Sequence, residues 1–336
     1  MNMKIAVTGA SGHIGNVVCR QLIEEGFKVN ALYNKDQRSL ENLNINLFQG
    51  SVLHKSDLER LIDGVDVVIH CAAIISIDGD PQGIVFKTNT EGPKNILDVS
   101  IQKGVKKIIH ISSVHAVTEI PHSIPYDECR PYKQLGASAY DYSKAQGEQI
   151  LLNGSKNNAI EVMIVRPSCV IGPYDFKPSK MGSALLDFYN EKVPFIPEGG
   201  YNLVDIRDVA SSIVNAIEHG KDGEIYLLSG KYVNFKKLSE TIQKVTGKKT
   251  PPLTLPYWLM KGILPVVALH AKITKRAPSF TKESIETIRN GHPNMNHTKA
   301  RAILNHNPRP LEETLHNFFD WQIENEVISS SCSLKP

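Results

Sequence analysis

The chain has 336 residues, of which 41% are hydrophobic and 22% charged, with a formal net charge of +3. This composition is typical of a soluble globular protein with a sizeable core, and the nearly balanced charge gives no electrostatic case for nucleic-acid binding. The five cysteines show no paired or metal-ligand spacing, so we expect a reducing compartment and no metal site. Because an apolar run begins within the first few residues, we expect no signal peptide and a cytoplasmic protein.

Strand-like and helix-like segments alternate over the first two-thirds of the chain. The predicted strands are residues 4–8, 28–33, 45–49, 66–72, 106–112, 160–166 and 224–228. The predicted helices are residues 13–25, 55–62, 83–103, 138–157 and 207–219. We expect Asp208 to be the N-cap of the last helix, and Arg207 to be either structural or substrate-facing. The alternation predicts an α/β fold with a doubly wound parallel sheet, covered by helices on both faces.

A glycine-rich turn follows the first predicted strand. Residues 8–15 read TGASGHIG, and apolar residues then recur at helical spacing. At such a strand-to-helix turn the backbone amides can approach a phosphate, and the helix N-terminus favours its negative charge. This context predicts dinucleotide binding. We place six residues of the turn at the cofactor: Gly9, Ser11, Gly12, His13, Ile14 and Gly15.

The residues after the second predicted strand bear on the choice of dinucleotide. Tyr33 stands where an NAD-binding protein would carry the acidic residue that accepts the ribose hydroxyls. Asn34, Lys35 and Arg38 follow, and a 2′-phosphate requires donors and positive charge. We therefore expect NADP rather than NAD. In the alternative, Lys35 and Arg38 are solvated surface charges and Asp36 takes the ribose.

The composition of the chain changes after Pro173. Residues 173–200 are rich in proline, and from about residue 232 the chain is mostly helical with proline breaks. We predict a dinucleotide-binding domain of residues 1–172 and 201–231, a smaller substrate domain of residues 173–200 and 232–326, and a frayed tail at 327–336.

A tyrosine and a lysine share one face of the predicted helix 138–157. Tyr140 and Lys144 are four residues apart, so the phenol and the ammonium point into one site. A nearby cation lowers the pKa of a phenol and makes it a general acid or base. The same spacing recurs at Tyr232/Lys236 and Tyr257/Lys261. Only the first pair begins a helix between two core strands, so we assign catalysis to it.

Two hydroxyl residues, Ser112 and Ser113, end the strand that begins at residue 106. Ligands of open parallel sheets lie beyond the carboxyl ends of the strands, so a hydroxyl there can donate to a substrate carbonyl. In the alternative, both serines satisfy the backbone of a turn. We interpret His115 as a loop residue rather than a base.

Six motifs in this order resemble the extended short-chain dehydrogenases/reductases. They are TGASGHIG at 8–15, HCAA at 70–73, NTEG at 89–92, ISS at 111–113, the Tyr140/Lys144 pair and RPSCVIGP at 166–173. The resemblance covers residues 3 to about 326. It implies a Rossmann-type domain with a smaller, mainly helical C-terminal substrate domain, and it implies NAD(P) chemistry.

The same resemblance implies roles for individual residues. Ser113, Tyr140 and Lys144 would form the catalytic centre, and Tyr140 and Lys144 would also contact the cofactor, where the lysine holds the nicotinamide ribose. Further cofactor contacts are expected from Ser51, Val52, Cys71, Ala72, Ala73, Pro167 and Val170. Family members often form homodimers through helices at the positions of 83–103 and 138–157.

Within this family the chain is most similar to the dihydroflavonol 4-reductases and the related 3β-hydroxysteroid dehydrogenases. The motifs concerned are RPSCVIGP at 166–173, LPYW at 255–258, RAPSFT at 276–281, HTKA at 297–300 and PLEETL at 310–315. This branch implies an NADP(H)-dependent oxidoreductase that reduces a ketone or aldehyde of a small-molecule substrate. A sugar-nucleotide epimerase with tightly bound NAD(P) and a non-catalytic NADP-sensing regulator are the alternatives.

The longest apolar stretch, residues 253–271, is interrupted by Pro256, Lys261 and Pro265. A membrane span needs about 20 unbroken apolar residues, so we predict a helix packed over a pocket instead. Trp258 and Phe280 suggest that this pocket is apolar, although the same residues are consistent with a helix-packing core. Membrane association through this stretch is the alternative.

Overall fold

The protein is described by a computed structural model of residues 3–76, 79–156, 158–274 and 282–327, with the side chains of 266–274 and 282–284 outside the description. The strands of this part are β1 (Lys4–Thr8), β2 (Lys28–Tyr33), β3 (Asn46–Gln49), β4 (Val67–His70), β5 (Lys107–Ile111), β6 (Glu161–Pro167), β7 (Cys169–Ile171), β8 (Ile196–Pro197), β9 (Gly200–Asp205), β10 (Ile225–Leu228), β11 (Lys231–Asn234) and β12 (Thr254–Leu255).

The helices alternate with these strands and then dominate the C-terminal third. They are α1 (His13–Glu24), α2 (Lys55–Leu61), α3 (Ile84–Gln102), α4 (Ala139–Ser155), α5 (Lys180–Tyr189), α6 (Ile206–His219), α7 (Phe235–Thr246), α8 (Tyr257–Thr274), α9 (Lys282–Asn290), α10 (Thr298–Leu304) and α11 (Leu311–Glu324).

The centre of the molecule is a seven-stranded sheet in the order β3-β2-β1-β4-β5-β6-β10. Every pairing in it is parallel, and the order reverses between β1 and β4. The predicted Rossmann-type, doubly wound sheet is therefore confirmed. In such sheets, ligands bind beyond the carboxyl ends of the strands at the point of reversal. The turn after β1 lies at that point.

Hydrophobic clusters cover both faces of the sheet. On one face α1 packs against α6, and the cluster includes Val18, Leu22 and Ile213. On the other face α3 packs against α4, with Leu58, Ile96 and Leu151 in the core. Burial on both faces explains why the strands read as continuous apolar runs rather than as alternating ones.

The C-terminal part of the chain builds a third core beside the sheet. Strands β7, β9 and β11 form a small sheet, and β8 pairs with β12. Helices α5, α7 and α11 contribute to an apolar cluster that contains Leu185, Leu238 and Phe318. The predicted helical character of this part is confirmed, whereas the division into two domains stays a prediction.

The N-terminus of α6 departs from the sequence prediction. Asp205, not Asp208, is the N-cap, and its carboxylate accepts the Arg207 backbone N–H at 2.8 Å. The Arg207 guanidinium binds the same carboxylate, which favours its structural interpretation. Asp208 lies in the first turn and pairs with Arg309. The prediction failed because two aspartates stand three residues apart, and tertiary contacts decide which one caps.

The apolar stretch 253–271 forms most of α8, which continues through Pro265. Met260 is buried against Leu255 and Ile285, whereas the side chain of Trp258 is 71% exposed and does not line an enclosed pocket. Among the described residues, no helix is long and apolar enough to cross a membrane. Phe280, the motif at 276–281 and residues 328–336 of the predicted tail lie outside the described residues.

Candidate active site

Helix α4 places Tyr140 and Lys144 beneath the carboxyl end of β5. Ser138 caps the helix by accepting the Asp141 backbone N–H, so Tyr140 falls in the first turn. Its side chain is buried, with 9% of the residue exposed, and Lys144 is 3% exposed. The Lys144 ammonium donates to the Ile111 carbonyl at 2.7 Å. The lysine is therefore fixed to the last residue of β5.

Ser113 completes a cluster of three polar side chains. It follows β5, where its hydroxyl accepts the His115 backbone N–H at 3.2 Å and is close enough to the Tyr140 phenol to lower the pKa of that phenol. The neighbouring Ser112 hydroxyl is buried and has no hydrogen-bond partner among the described residues. The structure thus brings together the three residues to which the sequence resemblance assigned catalysis.

Burial controls the protonation of the two titratable groups in this cluster. It raises the pKa of Tyr140 to about 12, and the Ser113 hydroxyl, which lowers this pKa, only partly opposes the shift. Burial lowers the pKa of Lys144 to about 8. The expected lowering of the phenol pKa by the lysine is wrong for this structure, because desolvation by burial dominates the shift and the neighbouring Asp141 charge adds to it. At neutral pH the phenol therefore holds its proton and is a donor.

A group of charged side chains lies next to Tyr140. His115 Nδ1 is 3.3 Å from an Asp141 carboxylate oxygen, and the ammonium of Lys133 contacts both Asp141 and Glu119. The ring centroids of His115 and Tyr140 are 5.9 Å apart. His115 does lie in a short turn, as expected, but the sequence analysis missed its pairing with Asp141. Asp141 directly follows Tyr140, which was the available signal.

These charged groups also resemble a cation site in composition. Three atoms that could coordinate a metal ion lie within 4.8 Å of one another: a ring nitrogen of His115 and one carboxylate oxygen each from Glu119 and Asp141. Because Lys133 already pairs with both carboxylates, the arrangement is a network of ion pairs.

The turn after β1 packs tightly against the residues that follow β4, the neighbouring strand of the sheet. Gly9 has a φ of 63°, and a Cβ there would lie 2.7 Å from the Ala72 backbone. A Cβ on Gly15 would lie 2.3 Å from the Gly9 carbonyl oxygen. A larger residue at position 9 would therefore collide with the backbone after β4, and one at position 15 would push the start of α1 away from the turn. Gly12 is the N-cap residue of α1, and no side chain in the described part of the chain caps this helix.

A comparison with family models identifies the chain. Residues 5–229 match the model described as the NAD dependent epimerase/dehydratase family. The protein belongs to this family. Since the match spans the Rossmann-type sheet and the Ser113–Tyr140–Lys144 cluster, the predicted NAD(P)-dependent enzyme of the oxidoreductase type, an extended short-chain dehydrogenase/reductase, is confirmed.

Individual relatives match over most of their length. "Sterol demethylase protein B" of Methylococcus capsulatus is 30% identical over 86% of this chain and 89% of its own. "Putative dihydroflavonol 4-reductase" of Synechocystis sp. is 31% identical over 75% of each chain. The crystal structure of gox2253 superposes with a TM-score of 0.84 at 29% identity, covering 96% of this chain and 99% of that one.

The structure of this epimerase/dehydratase family member fits the dinucleotide that the family uses. The uncapped N-terminus of α1 presents backbone amides at the sheet edge, where they can bind a phosphate. Ser112 follows β5 and Ser168 follows β6, and both hydroxyls are buried without a partner among the described residues. Buried polar groups are normally hydrogen-bonded, so these hydroxyls suit a polar ligand at the same edge.

The remaining residues expected at the cofactor lie along this edge with differing contacts. Cys71, Ala72 and Ala73 follow β4, Pro167 ends β6, and Val170 lies on β7. The Ser51 backbone N–H donates to Asp57, and Val52 is buried in the core beside α3. The His13 ring bonds the Pro173 carbonyl at 2.9 Å, so its side chain joins the glycine turn to the loop after β7. Ser11 accepts the Ser39 hydroxyl through its carbonyl.

The residues expected to select the dinucleotide are held by local contacts. The Arg38 guanidinium binds both oxygens of Asp36, at 2.6 to 3.2 Å, and both side chains are exposed. This pairing lowers the pKa of Asp36 to about 2. Tyr33 packs against the core, and the Asn34 carbonyl accepts the Gln49 side-chain amide. Lys35 is exposed.

The two other tyrosine–lysine pairs do not reproduce the geometry at α4. Tyr232 lies on β11 and Lys236 on α7, so this pair does not share one helix. Tyr257 and Lys261 both lie on α8, where the Tyr257 ring packs against the Arg289 guanidinium at 4.4 Å. Neither pair lies at the carboxyl edge of the central sheet.

Proposed function

We propose that the protein is an NADP(H)-dependent reductase of a ketone or aldehyde. The observation that carries this proposal is the buried phenol of Tyr140, which lies with Ser113 and Lys144 at the carboxyl end of β5. A reduction needs a proton donor beside the carbonyl oxygen, and a phenol with a pKa near 12 holds its proton at physiological pH.

The three side chains have complementary roles in this mechanism. When bound, the nicotinamide supplies the hydride that reaches the carbonyl carbon. Ser113 donates a hydrogen bond to the carbonyl oxygen as negative charge develops on it. Tyr140 transfers its phenolic proton to that oxygen, which completes the alcohol. Lys144, fixed by the Ile111 carbonyl, would place a positive charge near the phenolate that remains, and it would help to hold the nicotinamide ribose.

The proposed cofactor contacts follow the sheet edge from α1 to β7. The first-turn amides of α1, from His13 to Gly15, would bind the pyrophosphate. Asn34, Lys35 and Arg38 would bind the 2′-phosphate, which supports NADP over NAD. Because Arg38 is paired with Asp36, this preference requires the guanidinium to exchange its carboxylate partner for the phosphate, or to bind both.

The relative from Synechocystis sp. supports a carbonyl or alcohol as the reacting group, because it is named a putative dihydroflavonol 4-reductase. We infer that the substrate is a small molecule, which would lie between the sheet edge and the substrate domain of residues 173–200 and 232–326. The protein would act in the cytoplasm, as a homodimer through α3 and α4.

A cofactor titration followed by a substrate panel tests the proposal. NADPH and NADH are titrated by fluorescence, and each cofactor is then mixed with a panel of ketones and aldehydes while its absorbance is followed. We expect tighter binding of NADPH and its stoichiometric oxidation by one carbonyl class. Tighter binding of NADH would contradict the cofactor assignment. Turnover of a sugar nucleotide without net oxidation of the cofactor would indicate an epimerase instead.

A further inference from the structure

His115 packs beside the ring of Tyr140 and is itself partly exposed to solvent. Its ring is tilted by 59° to the Tyr140 ring, at a centroid distance of 5.9 Å. Its side chain is 29% exposed, whereas Tyr140 as a residue is 9% exposed. A proton that travels from water to Tyr140 past this histidine would not have to cross the core.

The histidine is oriented for proton transfer. Its Nδ1 faces the Asp141 carboxylate at 3.3 Å, a contact that favours a proton on Nδ1 and leaves the second ring nitrogen, Nε2, as the one that can exchange its proton. The backbone N–H of the same residue donates to the Ser113 hydroxyl. These two contacts fix both the position and the tautomer of the ring beside the catalytic cluster.

The charges around the ring favour its protonated form. Asp141 and Glu119 face it with negative charge, and Lys133, which pairs with both, faces it with positive charge. Asp141 and Glu119 raise the pKa of His115 above its ordinary value, although burial and the Lys133 charge both lower it. The imidazolium is therefore populated near neutral pH, where a proton must be supplied for each reduction.

We propose that His115, held by Asp141, is the relay that returns a proton to Tyr140 after each turnover. This inference rests on the proposed reductase function. Each cycle transfers the Tyr140 proton to the product alcohol and leaves a phenolate. The His115 imidazolium gives its Nε2 proton to the phenolate, directly or through a water molecule, and takes another from solvent. His115 does not touch the substrate in this scheme. It acts through Tyr140, whose proton it restores.

Lys144 is less suited to this supply from solvent. Lys144 as a residue is 3% exposed and its ammonium is bonded to the Ile111 carbonyl, so it has little contact with water. The His115–Asp141 pair instead has a partly exposed ring on one side and the Tyr140 ring on the other.

The pH profile of turnover tests the relay. NADPH oxidation is measured from pH 5.5 to 9 at saturating carbonyl substrate for the wild type and for His115→Gln. The wild-type kcat should fall above the pKa of His115. In His115→Gln, kcat at pH 6 should be about 10- to 100-fold below that of the wild type, within the range for a lost proton-transfer group. The kcat of this variant should then stay constant as the pH rises through the pKa of His115. Added imidazole should restore part of the lost rate.

Two further variants separate the relay from structural damage. Asp141→Asn keeps the imidazole but removes its negative partner, so the falling limb of the profile should move to lower pH. His54→Gln removes a histidine whose side chain is 70% exposed on α2's N-terminal side, and its profile should match the wild type. NADPH affinity, measured by fluorescence, should be unchanged in all three variants.

The outcomes distinguish the relay from the function on which it rests. If the wild type reduces a carbonyl but His115→Gln and Asp141→Asn keep its rate and pH profile, the relay is wrong and the reductase assignment stands. If no carbonyl compound of the panel is reduced by the wild type at the expense of NADPH, both proposals are overturned.

Discussion

The Arg166 guanidinium binds the Glu148 carboxylate through two parallel contacts, from Nε to Oε1 at 2.9 Å and from Nη2 to Oε2 at 2.7 Å. Both side chains are buried, with 1% and 0% exposed. Arg166 is on β6, and Glu148 is one turn beyond Lys144 on α4. The pair therefore anchors the helix that carries Tyr140 to the central sheet.

Removing one partner of this pair should destabilise the protein strongly. Glu148→Leu leaves the Arg166 charge buried and unpaired, which typically costs about 3–5 kcal/mol. The double variant Glu148→Leu/Arg166→Met removes both charges and should recover most of that loss. Urea denaturation at pH 7 measures the free energy of unfolding of the three proteins. A double variant as unstable as the single one would contradict this account.

Lys144 should make stability depend on pH in a specific window. Its pKa is lowered from 10.5 to about 8 in the folded protein, so between these values the unfolded chain binds a proton that the folded protein does not. The free energy of unfolding should rise with pH across this window, by an amount on the order of 3 kcal/mol for this group alone. Below pH 8 the buried ammonium is destabilising.

Lys144→Met is the matched control for that pH dependence, since it removes the titrating group and keeps an unbranched apolar chain. The difference in unfolding free energy between the wild type and Lys144→Met is measured at pH 7, 8, 9 and 10. The unfolding free energy of the wild type should rise relative to that of the variant as the pH rises. The other titrating groups cancel in this difference, so the change reports Lys144 alone. A difference that does not change with pH would show that Lys144 is not destabilised by burial.

The Asp36–Arg38 pair should modulate the choice of cofactor. Asp36→Asn removes the carboxylate that competes with a 2′-phosphate for Arg38, so NADPH should bind more tightly and NADH should not. Arg38→Gln should weaken NADPH binding by about tenfold, the scale of one hydrogen bond between charged groups, and leave NADH unaffected. Fluorescence titration with both cofactors measures these effects. Equal effects on NADPH and NADH would place the pair outside the 2′-phosphate site.

Much of the fold could be predicted because its signals are local. The continuous apolar strands, such as β4 (Val67–His70), and the glycines of residues 8–15 depend on backbone geometry and burial that recur in any parallel sheet. The same holds for the shared face of Tyr140 and Lys144, which the helix period determines. The family and the oxidoreductase class, which the resemblance of the six motifs implied, are confirmed.

The details that failed depend on tertiary contacts. The pKa of Tyr140 rises because of burial, which a four-residue spacing does not reveal. Asp205 caps α6 and Asp208 binds Arg309, a residue about a hundred positions away. The ion pair between His115 and Asp141 joins a turn to a helix. In each case the decisive partner or environment lies outside the local sequence window.

The central claim is that Tyr140 is the proton donor in a carbonyl reduction. Tyr140→Phe removes the phenolic proton and keeps the ring, so cofactor binding should remain nearly intact. The measurement is the single-turnover rate of NADPH oxidation by the best carbonyl substrate, together with the NADPH dissociation constant. We predict a rate at least ~100-fold below the wild type at unchanged NADPH affinity. A rate close to the wild type would contradict the account.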